Sequence, residues 1–261
     1  MSNPERNAYA RYGSVSSRVG AGEIDQGLRA YMLKVYNYMA LGLALTGVAA
    51  YGAFSAAVTT DPSGAAAQAG NGLYLTGFGV ALFTSPLKWV VMLAPLALVF
   101  FLSFRIQKMS VAAAQGTFLA YAALVGLSLS SIFLVFTGQS ITQVFFITAA
   151  SFGALSLYGY TTKRDLSGMG SFLFMGLIGL IIASVVNIFL ASSALAFAVS
   201  VIGVLVFAGL TAYDTQQIKE MYYESDDATT AGRKAIMGAL RLYLDFINMF
   251  IMLLQLVGDR R

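Results

Sequence analysis

Between Lys108 and Lys163 the chain runs for 54 residues without a charged side chain. As one helix that run would be roughly 80 Å long at 1.5 Å per residue. The hydrocarbon core of a bilayer is only ~30 Å thick, so the run must fold back once. The group Thr137-Gly138-Gln139-Ser140 supplies the turn, which predicts spans over 111–136 and 141–160. A second run of 48 uncharged residues, 166–213, breaks near Ala191-Ser192-Ser193-Ala194 and predicts spans over 172–190 and 195–213. Backbone polar groups in lipid must be satisfied internally, and unbroken apolar runs of this length do so as helices.

The rest of the chain divides on the same rule. Residues 35–57 and 89–104 form charge-free runs, and 242–258 forms the last. The 12-residue piece 72–83 is too short to span, so the region after the first span reads as a loop or re-entrant segment. Residues 1–34 are polar and read as a flexible cytoplasmic tail, leaving 35–261 as one seven-helix transmembrane domain. With the N-terminus inside, 12 of the 16 Lys and Arg fall in the cytoplasm: five in the tail, two after span two, two after span four and three after span six. Lys88, Arg260 and Arg261 fall outside and Arg241 at the membrane edge. That bias orients the chain N-in, although the two terminal arginines pull the other way.

Composition closes off most chemistry. Charged residues make up 11% of the 261, against about 25% in a soluble domain, and 58% are hydrophobic. A soluble enzyme, a disordered chain and a nucleic-acid binder are excluded; the net charge of +4 belongs to the cytoplasmic loops. Cysteine and histidine are absent, which removes thiol and imidazole catalysis and Cys/His metal sites. No cofactor is expected, and the expected partner common to every reading is the lipid bilayer.

Charges within or beside spans are costly in lipid and therefore informative. Four stand out: Arg105, Asp214, Arg241 and Asp245. Asp214 ends span six and Asp245 opens span seven, so the cytoplasmic loop between them places both at a similar depth, with Arg105 at the same level. Two carboxylates sharing a site cannot easily both ionise and titrate as a unit. They also offer hard oxygen ligands to Ca²⁺. The plainer reading is a helical i,i+4 salt bridge between Arg241 and Asp245, with Asp214 reaching interfacial water. Asn248, three residues from Asp245, shares its helix face. Asn187, Gln115 and Gln143 read as interhelical hydrogen-bonding groups.

The stretch GLTAYDTQQIK (209–219), followed by LYLDFINMF (242–250), resembles the Bax inhibitor-1 family of small membrane proteins. SFRIQKMS (103–110) and NIF (187–189) share in the resemblance, which covers about 29–258. It implies a seven-helix bundle with the last helix central, and a pH-sensitive calcium leak channel with a paired-aspartate sensor. On that resemblance Asp214 and Asp245 match the sensor and potential calcium ligands, and Arg105 matches a latch. Arg241 departs from the pattern expected in some relatives and would modulate the pair by opposing cations. The resemblance also admits a non-transporting regulator that binds a membrane protease or another membrane protein. Tyr213-Asp214 echoes an intramembrane aspartyl protease, but Leu242-Tyr243-Leu244-Asp245 lacks the Gly-x-Gly-Asp context. A retinal protein would need a lysine in the last span, and 242–258 has none. The expectation is a non-enzyme of a bacterial inner membrane.

Overall fold

The computed structural model describes the secondary structure of residues 4–70 and 72–261, and the side chains of 26–70 and 72–261. Residues 1–25 of the expected flexible tail fall outside the residues whose side chains are described; residues 26–34 belong instead to α1, with Tyr31 and Met32 buried in the core. Seven helices are long and apolar enough to cross a membrane. They are α1 (Pro4–Ala57, membrane-length from Gln26), α3 (Leu87–Arg105), α4 (Val111–Leu129), α6 (Gly138–Thr161), α7 (Ser167–Leu190), α8 (Ser193–Glu220) and α9 (Ala228–Val257). Two short helices complete the set, α2 (Gly77–Phe83) and α5 (Ile132–Val135).

The turns lie where the uncharged runs had to break. Thr137 caps α6 by accepting from the Ser140 N–H, and Ser192 caps α8 by accepting from the Leu195 N–H. Each satisfies a backbone donor that a helix start leaves open. Ala191, between α7 and α8, takes a left-handed conformation (φ 49°). Asn187 accepts from the Ser192 N–H at 3.0 Å, so it fastens this turn instead of bridging helices.

The segment after the first span is more ordered than a loop. Strands β1 (Val58–Thr59), β2 (Ala67–Gly70) and β3 (Leu73–Leu75) form an antiparallel sheet in the order β1-β3-β2, and α2 follows. At seven residues α2 is about 10 Å long and cannot cross. Gly79 seats α2 against the Ala57 backbone, where a side chain would collide with the carbonyl.

The helices run alternately up and down, so one end of the bundle carries the 106–110, 162–166 and 221–227 turns. The other carries the sheet and residues 258–261. There the Thr137 N–H donates to Asp259 O at 3.1 Å, and the Asp259 N–H donates to Ser140 Oγ at 2.9 Å. Arg261 donates to Phe136 O, and Arg260 lies over the Phe136 ring. Both terminal arginines are thus fastened to the start of α6, consistent with seven spans.

α9 occupies the centre, packed against α1, α4, α6 and α8. Half of its most apolar stretch is buried, the largest share among the seven. Tyr243 is fully buried; its hydroxyl lies 2.6 Å from Thr46 Oγ1, and its ring stands edge-on to Phe118 and Tyr121. Small residues allow this approach in lipid, where packing and not water expulsion drives association. Gly159 meets the Ala212 backbone and Gly126 the Thr46 backbone, both too closely for any side chain.

Candidate functional site: two aspartates in an interhelical cleft

The 209–219 motif divides its residues between two faces of α8. On the buried face, Thr215 Oγ1 lies 2.9 Å from Ser156 Oγ of α6, which lies 2.7 Å from Tyr36 Oη of α1. Gln216 accepts from the Leu166 N–H and donates to Arg164 O, both at 2.8 Å. Lys219 Nζ donates to Tyr160 O at 2.9 Å. These bonds lock α8 against α1, α6 and the turn into α7. Sequence reasoning missed them; the only signal was the density of hydroxyl and amide residues around Asp214.

Asp214 faces away from that lock. With Asp245, Arg241 and Asn248 it lines a cleft of about 600 Å³ between α7, α8 and α9. Apolar side chains of α7, among them Leu177 and Ile181, form the opposite wall. Asp245 is buried, 4% exposed, and its Oδ2 has no hydrogen-bond partner among the described residues. Asn248 donates to Leu244 O of its own helix at 2.8 Å. Arg241 is exposed to the cleft. Among the described residues the one ion pair joins Lys234 to Asp226 at 2.6 Å, so the expected Arg241–Asp245 bridge is not formed.

Two sequence expectations change here. The helix of span seven starts well before Leu242: α9 begins at Ala228, because Arg233, Lys234 and Arg241 do not interrupt it. Nor are the aspartates level. Gly238 packs on Ile218 and Gly203 on Met252; on that antiparallel register Asp214 is level with Arg241 and Leu242. Asp245 is level with Leu210, about one turn (~5 Å) deeper.

Arg105 ends α3, exposed, and lies outside the cleft lining. Among the described residues it makes no side-chain hydrogen bond or ion pair. The cation that the structure brings to the aspartates is Arg241. No group of three or more metal-ligating side chains occurs among the described residues. Ca²⁺ takes six to eight oxygens, so two carboxylates suit an ion that keeps much of its water shell.

The chain has well-defined relatives. A family model described as "Inhibitor of apoptosis-promoting Bax1" matches residues 28–261. An uncharacterized protein of Rickettsia prowazekii, RP147, is 51% identical over 237 residues, covering 91% of this chain and 92% of its own. The inner membrane protein YbhL of Escherichia coli is 50% identical over 239 residues, covering 90% and 94%. An uncharacterized protein of Caulobacter vibrioides is 43% identical over 260 residues and 99% of both chains.

Proposed function

The chain belongs to the Bax inhibitor-1 family of membrane proteins, and from that premise we propose that it is a pH-sensitive cation leak channel, with calcium as the permeant ion. The observation that carries this reading is the joint placement of Asp214 and Asp245 on one interhelical cleft, with a buried carboxylate oxygen left unpartnered. A desolvated acceptor of this kind is costly unless it takes a proton or a cation. Proton binding and cation binding then compete for the same oxygens, and flux follows pH. The reading involves no catalysis and no bound cofactor.

Calcium flux into liposomes holding the purified full chain tests it. Flux is expected to change steeply with pH on the side of the 221–227 turn. Asp214→Asn and Asp245→Asn should each flatten that profile, and the double variant should add little, because coupled groups act as one unit. Wild-type pH profiles in both single variants would sink the proposal. Arg241→Ala should raise flux more than Arg105→Ala, since Arg241 stands on the cleft wall and Arg105 does not.

Arg241 also favours a second reading, a non-transporting regulator that binds a membrane protease or another membrane protein. A guanidinium about one turn from Asp245 opposes cation passage. Absence of flux in wild type and Arg241→Ala alike would support it.

The proposed setting is a bacterial inner membrane with the N-terminus and the 221–227 turn in the cytoplasm. The chain has no cysteine, so single cysteines can be introduced cleanly. Thr229→Cys should label only from the cytoplasmic side and Gly64→Cys only from outside; the reverse pattern would invert the topology.

A further inference from the structure

The N-terminal half of α9 lines a second polar concavity that the aspartate reading leaves unused. Its volume is about 300 Å³, ample for a small hydrated anion. Thr230, Arg233, Lys234 and Arg241 reach it from one face of α9, Ser103 from the last turn of α3, and Gln107 from the turn that follows. Among the described residues its lining contains three cations and no carboxylate.

Two of those cations are held in place. Arg233 Nε donates to Met109 O at 2.7 Å, leaving its two terminal nitrogens free of that bond. Lys234 Nζ donates to Met221 O at 3.0 Å and is half-buried. Asp226 pairs with Lys234 from the loop side and does not line the pocket. An ordinary solvated basic face would leave these side chains mobile. Here backbone carbonyls fix two of them around a concave floor, so less ordering cost remains for an incoming ligand.

We propose that this pocket binds a phosphate-class anion, either a free phosphate or the phosphodiester headgroup of an anionic lipid. Guanidinium groups recognise phosphate oxygens in pairs, and Arg233 and Arg241 supply them; Lys234, whose charge is already paired with Asp226, completes the wall. Hydroxyl and amide groups of Thr230, Ser103 and Gln107 supply the neutral donors such a ligand needs. Arg241 lines both this pocket and the aspartate cleft, so an anion here competes with the two carboxylates for one guanidinium. The site itself does not rest on the leak-channel reading.

The test uses the full chain purified in an uncharged detergent. Its thermal unfolding midpoint is followed while inorganic pyrophosphate, or a short-chain phosphatidylglycerol, is titrated in. Sodium chloride at matched ionic strength is the control. A saturable rise with at least one probe is expected, and Arg241→Gln should weaken the apparent affinity about tenfold. Ser103→Leu, which crowds the mouth and leaves every charge in place, should weaken it comparably and decides the matter if Arg241→Gln fails to fold. Saturation by pyrophosphate alone assigns a soluble anion, and saturation by the lipid alone assigns a headgroup. A rise no larger than the chloride control, or a saturable rise unchanged in the folded variants, overturns the proposal. Binding is read without ion flux, so its failure is separate from failure of the leak reading.

Discussion

α7 and α9 invert the rule that soluble proteins follow. α7 has the most apolar 18-residue stretch of the seven membrane-length helices, and that stretch has the smallest buried share, 11%. The most apolar stretch of α9 is much less so, yet it has the largest buried share, 50%. Phe172, Ile188 and Phe189 of α7 point outward, Phe189 at 84% exposure. In water that surface would be intolerable; in lipid it is the correct exterior. The centre is assigned instead to the helix that carries hydroxyls, an aspartate and shape-specific aromatic contacts. Hydrophobicity decides that α7 can face lipid, while packing and polar satisfaction decide that α9 must not.

The largest separation between the two helices is expected from side-chain truncation. Tyr243→Ala leaves a cavity at the centre and removes one of the hydrogen-bond partners of Thr46, and should destabilise by about 3 kcal/mol. Phe189→Ala, on the lipid face, should stay within about 0.5 kcal/mol. Unfolding in mixed micelles measures both, and equal losses would break the comparison.

Glycine substitutions sharpen it. Gly159→Ala forces α6 away from the Ala212 carbonyl and should cost about 1–3 kcal/mol. Gly179→Ala on α7 meets open space and should stabilise by roughly 0.5–1 kcal/mol through helix propensity. The same micelle assay reads opposite signs if the packing argument is right.

The smallest effect concerns the exposed start of α9. Asp227 caps it, and the Thr230 side chain, helped by the Thr230 and Thr229 N–H groups, holds its carboxyl below the usual range. A depressed folded-state pKa gives stability that is full above about pH 4, near the unfolded value. It is lost as pH falls through the lowered folded value. Asp227→Ala should therefore be slightly less stable than wild type at neutral pH and indistinguishable in strong acid. A gap that persists in acid would assign the effect to something other than the carboxylate.

The number of helices, their turns and the alternating ends were legible in the sequence, because bilayer thickness and the cost of buried charge leave few other solutions for runs of 54 and 48 uncharged residues. The aspartates were legible as a pair for the same reason: charge beside lipid is rare. Tertiary structure alone decided the rest. Charge marks where lipid ends, not where a helix ends, so the start of α9 at Ala228 was hidden. The register of α8 on α9 depends on which small residues seat which side chains, and it set Asp245 a turn below Asp214. Whether Arg105 or Arg241 stands beside them depends on helix rotation and neighbour order, which hydropathy does not encode. The sheet at 58–75 was hidden as well, because its pairings join short strands whose burial follows from the ends of α1 and α2 and not from any pattern of their own.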